Sequence, residues 1–138
     1  MSPKDINLYQ AQKALDNAKH AVKDGGIIVL VASCKEGFGE KVFERWIMNV
    51  QHPNDLIEGI QQNFELGGHK AAAIAMVLKK ADIYLVSELN AETVSKVFMK
   101  PYNNIQIAIN DAVKQKGKNS KIIVMPYGGS TLPKVASL

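Results

Sequence analysis

The run Ile27-Ile28-Val29-Leu30-Val31-Ala32 contains no polar side chain and is rich in β-branched residues. A short apolar run of this kind is typical of a strand that is buried on both faces, and such strands occur in parallel sheets. Residues 83–86 and 122–125 have the same pattern. The sequence therefore predicts that these three segments pair in parallel within one sheet.

Helical segments separate the predicted strands. The first helix is predicted over residues 7–23, with Asn7 as its N-cap and Gly25-Gly26 as its stop signal. Further helices are predicted over residues 42–50, 53–64, 69–80, 91–99 and 104–116. Strands that alternate with helices predict an α/β fold in three layers, a mostly parallel sheet with helices on both faces. Ligands of such sheets bind beyond the carboxyl ends of the strands, which here are residues 33–39, 87–90 and 126–130.

Apolar spacing predicts which face of each helix is buried. In the first helix the core-facing residues are Leu8, Ala11, Leu15, Ala18 and Val22. In the last helix they are Ile105, Ile109, Ala112 and Val113. The helix at residues 69–80 has no polar side chain from position 71 to position 78, which indicates a central position or a surface for a partner.

Size and composition narrow the class of protein. The chain has 138 residues, of which 46% are hydrophobic, and we expect residues 1–138 to form a single α/β domain. Its net charge of +4 comes from scattered lysines and one arginine, Arg45, whereas nucleic-acid interfaces carry clustered basic residues. The single cysteine, Cys34, excludes an internal disulfide and is typical of a reducing cytoplasm. We also expect neither a membrane span nor a signal peptide, and we expect the chain to be part of a longer polypeptide.

The polar face of the first helix is the leading candidate for a ligand site. Tyr9 and Lys13 are four residues apart and Gln10 is three residues from Lys13, so the three side chains are neighbours. They project away from the apolar stripe, and His20 returns to their side two turns later. A phenol, an amide and an ammonium group suit the binding of a small anion. The alternative interpretation is an ordinary solvated helix face.

Two glycine-containing turns are weaker candidates. Glu36-Gly37-Phe38-Gly39 lies between a strand and a helix, where it is either a tight turn at the edge of a site or a phosphate-binding turn. Val42 stands where a third glycine would complete the dinucleotide pattern, and the glutamate opposes phosphate, so the tight turn is favoured. Gly67-Gly68-His69-Lys70 begins a helix, where free N–H groups favour an anion and His69 is either a ligand or a cap residue.

Other reactive side chains give little support for chemistry within this chain. No two histidine or cysteine residues have helical spacing, and His20 and His52 belong to no common motif, so no metal site is predicted. Cys34 is predicted to be a small buried thiol, since no catalytic signature surrounds it. Gly128-Gly129-Ser130 is either a site loop or a flexible turn.

Several stretches together resemble the C-terminal domain of the nickel-pincer-dependent lactate racemase family. They occur in the family's order and are Asn7-Leu8-Tyr9-Gln10-Ala11-x-Lys13, Gly25-Gly26-Ile27-Ile28, Glu36-Gly37-x-Gly39 with Phe43 and Trp46, and Gly68-His69-Lys70-Ala71 leading to Asp82-Ile83. The resemblance covers the last third of the family's length and implies a larger N-terminal domain as partner.

The resemblance implies a racemase or epimerase of lactate or related 2-hydroxy acids that works by hydride transfer. The cofactor it implies is a nickel-pincer nucleotide derived from nicotinic acid mononucleotide and bound mainly by the N-terminal domain. The acid/base histidines, the nickel-binding histidine and the tethering lysine belong to that domain, so no catalytic residue and no bound cofactor is expected in this chain.

By resemblance, Gln10 and Lys13 match substrate-binding residues, and Tyr9 is their neighbour. His69 takes the place of a large aromatic residue, so the pocket wall differs and a related 2-hydroxy acid becomes credible as the substrate beside lactate. Two alternatives remain: a free-standing module that binds a small anion or nucleotide without catalysis, and an interaction domain that assembles through the apolar helix.

Overall fold

The computed structural model describes residues 7–117, 121–126 and 134–137. Their strands form one sheet in the order β3-β2-β1-β4-β5. The strands are β1 (Gly26–Val31), β2 (Ala81–Val86), β3 (Lys100–Tyr102), β4 (Lys121–Pro126) and β5 (Lys134–Ser137). The helices are α1 (Leu8–Lys19), α2 (Lys41–Met48), α3 (Pro53–Gln62), α4 (Gly68–Leu78), α5 (Ala91–Lys96) and α6 (Ile105–Lys116).

The three strands predicted from apolar runs pair in parallel, as expected. β1 is the central strand: Ile28 is opposite Ile83 of β2 on one side and Ile123 of β4 on the other. β1 is buried from Ile27 to Leu30, because helices cover both faces of the sheet. The predicted mostly parallel α/β fold is therefore confirmed.

Alternate strand residues enter two separate cores. Ile28, Leu30 and Leu85 face the layer that contains α1, α2 and α4. Ile27 and Val29 face the opposite layer, where they pack with residues of α6. This alternation is the period of two that an extended strand imposes.

α4 occupies a central position in its layer, since it contacts α1, α2, α3 and β2. Cover on several sides explains why its middle has no polar residue, and of these residues only Met76 is exposed. Of the two interpretations offered by the sequence, the structure shows the central position.

Two strands of the sheet were not predicted from the sequence. β3 has three residues and includes Pro101, but it pairs with β2 in parallel as an edge strand, where proline is tolerated. β5 pairs antiparallel with β4 at the other edge. Both strands are too short to be recognised without their neighbours.

Several helix predictions were also wrong in detail; α5, for example, ends at Lys96 rather than at residue 99. α1 ends at Lys19 rather than at residue 23, and a turn precedes β1. On α6 the fully buried residues are Ala108 and Ala112, whereas Ile105 is exposed and Val113 is half-buried. Small residues face the sheet because α6 packs closely on it, and the larger side chains are displaced to the flanks.

Candidate functional site

The N-terminus of α1 is closed by the turn that follows β1. The backbone N–H of Leu8 donates to the Gly37 carbonyl oxygen at 2.8 Å, and that of Tyr9 donates to the Phe38 carbonyl oxygen at 3.0 Å. The turn therefore presents acceptors to the helix rather than donors to a phosphate. This geometry supports the tight turn and disfavours the nucleotide-binding alternative.

Asn7 completes this junction. Its side-chain oxygen accepts a hydrogen bond from the backbone N–H of Gln10 at 2.8 Å, which makes it the predicted N-cap. A Cβ atom at Gly39 would collide with the Asn7 side chain, so only glycine lets the turn approach so closely. The first N–H groups of α1 are thus satisfied within the chain, and an anion at this end must be bound by side chains.

The side chains proposed from the sequence differ in exposure. Gln10 and Lys13 are exposed, as predicted. Tyr9 is half-buried, so the prediction of an open tyrosine on the far side of the helix was wrong. Its ring lies 5.5 Å from that of Phe43, edge to face, and the Lys70 ammonium lies 5.3 Å from its centroid. Tyr9 follows Leu8 by 100°, so it lies on a flank that a neighbouring helix can reach.

The start of α4 carries the remaining candidate residue, His69. The backbone N–H groups of Gly68 and His69 donate to the Glu65 carbonyl oxygen at 3.0 and 3.3 Å, and that of Lys70 donates to the Gly67 carbonyl oxygen. These N–H groups are therefore occupied, which disfavours a backbone anion site at this helix start.

The His69 ring is held in one orientation. Its Nδ1 atom accepts a hydrogen bond from the backbone N–H of Gly67 at 3.0 Å, and its ring lies 5.7 Å from that of Phe64. An accepting Nδ1 leaves the ring proton on Nε2, which can then donate to a ligand. Gly67 adopts a φ of 97°, a conformation that favours glycine.

Glu65 fixes the loop before α4. Its carboxylate accepts from Trp46 Nε1 at 2.7 Å and from Arg45 Nη2 at 2.6 Å. These two hydrogen bonds, the Trp46 bond first, lower the pKa of Glu65 below its ordinary value. An ideal Cβ at Gly68 would lie 2.5 Å from the Trp46 ring, so the indole packs directly on the backbone where α4 begins.

Two cavities are lined by residues or segments that the sequence analysis named as candidates. One, of about 570 Å³, lies between α1, α3 and α4 and is lined in part by Asp16, His20 and His69. Gln10 and Lys13 do not line it, so the structure brings His69 together with His20 rather than directly with Lys13. A larger cavity of about 710 Å³ lies at the carboxyl ends of β2 and β3. Among the described residues that line it, Glu88 alone is charged, which makes this cavity a poor site for an anion.

Gln12 is the polar residue that the sequence did not single out. Its side chain is fully buried, and neither its oxygen nor its nitrogen has a hydrogen-bond partner. A buried amide without partners destabilises the fold. Gln12 lies 40° from Leu8 about the helix axis, just outside the apolar stripe, so the sequence gave little indication that it is buried. Its burial depends on the packing of other elements against α1 in the folded chain.

The remaining candidates contribute less to a site. Cys34 is buried, as predicted, with a φ of 52°. Within residues 7–117, 121–126 and 134–137, no three His, Cys, Asp or Glu side chains are grouped so that they could ligate a metal. In the same ranges no helix is both long and apolar enough to cross a bilayer. The predicted loop at residues 128–130 lies outside the described residues.

A family model described as the lactate racemase C-terminal domain matches residues 2–132. The chain belongs to the lactate racemase C-terminal domain family. It is 30% identical to a lactate racemase of Thermoanaerobacterium thermosaccharolyticum, over 94% of this chain and 32% of the relative. It is 26% identical to a lactate racemase of Lactiplantibacillus plantarum, over 91% of this chain and 31% of that relative.

The solved structure of the lactate racemase apoprotein from Thermoanaerobacterium thermosaccharolyticum superposes with a TM-score of 0.84. The match covers 94% of this chain and 32% of that structure. The chain therefore spans about a third of the length of each of these family members. The resemblance inferred from the ordered motifs is confirmed at the level of family and fold.

Proposed function

We propose that this chain is the substrate-binding C-terminal domain of a racemase or epimerase of 2-hydroxy acids. The observation that carries the proposal is the exposed pair Gln10 and Lys13 at the start of α1, in a chain of the lactate racemase C-terminal domain family. In this proposal residues 1–138 form one domain, and a larger N-terminal domain of the same polypeptide faces the pair.

The chemistry of the substrate matches these side chains. A 2-hydroxy acid carries a carboxylate next to a hydroxyl group. Lys13 neutralises the carboxylate as a point charge, and Gln10 donates to the carboxylate or to the hydroxyl and so fixes its orientation. Because the N–H groups of Leu8 and Tyr9 are already bonded to the turn, the backbone does not compete for the anion.

Lys70 adds a second cation to this end of the molecule. Its ammonium group lies over the ring of Tyr9. Tyr9 is one helical turn before Lys13 on α1. Two lysines near one helix end raise the local concentration of a small anion before it is bound. Tyr9 positions Lys70 in this scheme, and its hydroxyl group is available to the substrate.

The chemical step belongs to the rest of the polypeptide. The described residues offer no donor set that fits nickel, so no step through the nickel-pincer nucleotide implied by the resemblance is derived for this chain. When bound to the complete enzyme, that group would accept and return a hydride. The role of this domain is to hold the carboxylate so that the α-carbon meets the reacting groups in one orientation.

His69 sets the size of the substrate in this proposal. With Nδ1 held by Gly67, the ring can only donate, through Nε2. Where the resemblance leads us to expect a large aromatic residue, an imidazole leaves more room and adds a donor. We therefore propose that the substrate is a 2-hydroxy acid larger or more polar than lactate. We also propose that the enzyme acts in the cytoplasm.

The test uses the complete polypeptide and pure enantiomers of lactate, 2-hydroxybutanoate, malate and phenyllactate. The expected result is interconversion of the two hands of at least one acid, with loss of catalytic efficiency in Lys13→Ala. The matched control is Lys114→Ala, an exposed lysine on α6 in the opposite layer. Anion binding by the isolated chain, together with no racemisation by the complete polypeptide, would instead favour a binding module.

A further inference from the structure

The loop between α3 and α4 exposes two large apolar side chains that are two residues apart. Phe64 is 66% exposed and Leu66 is 74% exposed, more than any other large hydrophobic residue in the described part of the chain. Glu65 lies between them in the sequence, and its carboxylate accepts hydrogen bonds from Trp46 and Arg45. We call Phe64 and Leu66 the loop knob.

The loop that carries the knob is held firmly. The Glu65 carboxylate accepts two hydrogen bonds, and its carbonyl oxygen accepts two more from the first residues of α4. A Cβ at Gly67 would lie 2.5 Å from the carboxylate of Glu40, the N-cap residue of α2, so the backbone is packed against the start of α2. A fixed loop binds a partner with little loss of conformational entropy.

The knob adjoins His69, one of the proposed substrate-binding residues. The Phe64 ring lies 5.7 Å from the His69 ring, and the next residue, Lys70, lies over Tyr9 at the start of α1. A partner that covers the knob therefore also covers the edge of the cleft at His69. Two exposed apolar anchors beside a polar cleft are the arrangement expected at the centre of a domain interface.

We propose that the loop knob is the docking point of the N-terminal domain, which seats on Phe64 and Leu66 and closes the substrate cleft at His69. The inference rests on the proposed function, in which this chain is the C-terminal part of a larger enzyme. We name the N-terminal domain as the partner because about two thirds of the length of each lactate racemase relative lies outside the region that matches this chain. Seating the domain there removes the apolar surface from water without any rearrangement of the loop.

Hydroxyl-radical footprinting tests this directly, because it reports the accessibility of individual side chains. The isolated chain and the complete polypeptide are oxidised under the same conditions, and the products are quantified by mass spectrometry. Phe64 and Leu66 are expected to become several-fold less reactive in the complete polypeptide. Ile105 and Ile107, which are 40% and 51% exposed on α6, are the matched control and keep their reactivity.

Variants provide a second readout. The double substitution Phe64→Ser and Leu66→Ser is expected to raise KM of the complete enzyme about tenfold, as when interface anchors are removed. The control pair Ile105→Ser and Ile107→Ser leaves KM unchanged. Melting of the isolated chain should be the same for the Phe64/Leu66 pair as for wild type, which excludes a folding defect.

Three outcomes overturn the proposal: equal reactivity of Phe64 and Leu66 in both proteins, equal protection of the α6 control, or protection in the isolated chain that rises with concentration. The last would assign the knob to a second copy of this chain. Failure of the proposed function is a separate result. If the knob is protected in the complete polypeptide but no hydroxy acid is racemised, the docking proposal stands and the proposed function fails. If a hydroxy acid is racemised but the knob is not protected, the proposed function stands and the docking proposal fails.

Discussion

The Lys70 ammonium lies 5.3 Å from the centroid of the Tyr9 ring. The contact joins the first turn of α1 to the first turn of α4, two helices that are separated by β1, α2 and α3 in the sequence. It brings the start of α1, which carries Gln10 and Lys13, next to the start of α4, which carries His69.

Replacing Lys13 tests the substrate clamp. Lys13→Ala in the complete enzyme should lower kcat/KM by about 30- to 1,000-fold, equivalent to about 2–4 kcal/mol, because a charge-assisted bond to the carboxylate is lost. Gln10→Ala should have a smaller effect, since a neutral hydrogen bond is weaker. Both side chains are exposed, so thermal unfolding should change little. Steady-state kinetics with both enantiomers, beside Lys114→Ala, provide the measurement, and kinetics close to wild type would remove Lys13 from the site.

Tyr9 allows packing and substrate contact to be separated. Tyr9→Phe keeps the ring against Phe43 and Lys70 and should alter stability by less than about 0.5 kcal/mol. Tyr9→Ala removes the ring and should lower the free energy of unfolding by about 1–3 kcal/mol. Urea denaturation checks both values. A drop in kcat/KM for Tyr9→Phe at unchanged stability would assign the hydroxyl group to substrate binding.

Gln12→Met should stabilise the chain. Methionine has a similar length and removes two buried polar atoms that have no partners, so we expect a gain of about 1–3 kcal/mol in the free energy of unfolding. The exposed Gln62, at the end of α3, is the control, and Gln62→Met should change stability by less than about 0.5 kcal/mol. Destabilisation by Gln12→Met would mean that the amide has a partner in solution.

Gly68→Ala should destabilise the junction between α2 and α4. The added methyl group would lie 2.5 Å from the Trp46 ring, and overpacking of this kind costs about 1–3 kcal/mol. Trp46→Phe makes room for that methyl group, although it also removes the donor to Glu65. The double variant should therefore lose less stability than the sum of the two single changes, which a double-mutant cycle measures. Strict additivity would contradict the proposed contact.

Glu65 should make stability depend on pH in the acidic range. Its pKa is lowered in the folded chain by the hydrogen bonds from Trp46 and Arg45, so its contribution is fully present above the carboxyl pKa of the unfolded chain. The contribution is lost as pH falls through the lower, folded pKa. Glu65→Gln should reduce stability near neutrality and flatten the acidic decline in melting temperature. Glu58→Gln, an exposed change on α3, should leave the profile as in wild type.

The sequence predicted much of the fold because local periodicity records burial. The unbroken apolar runs around Ile28, Ile83 and Ile123 predicted a parallel sheet, and the structure has the predicted pairing. β3 and β5 could not be predicted in this way. β3 contains only three residues and one of them is proline, so its pairing depends on the exposed edge of β2.

The candidate site was predicted in part. The helical phase of α1 was sufficient to predict the burial of Leu8 and Leu15 and the exposure of Lys13, because a residue's angle about the helix axis follows from its number. Only the tertiary structure decided the two flanks of that helix. Packing of α4 and α2 against one flank buries Gln12 and half-buries Tyr9, and it brings Lys70 to the tyrosine ring. Sequence period determines which residues lie on a flank, but only the crossing of a second helix determines whether that flank meets protein or water.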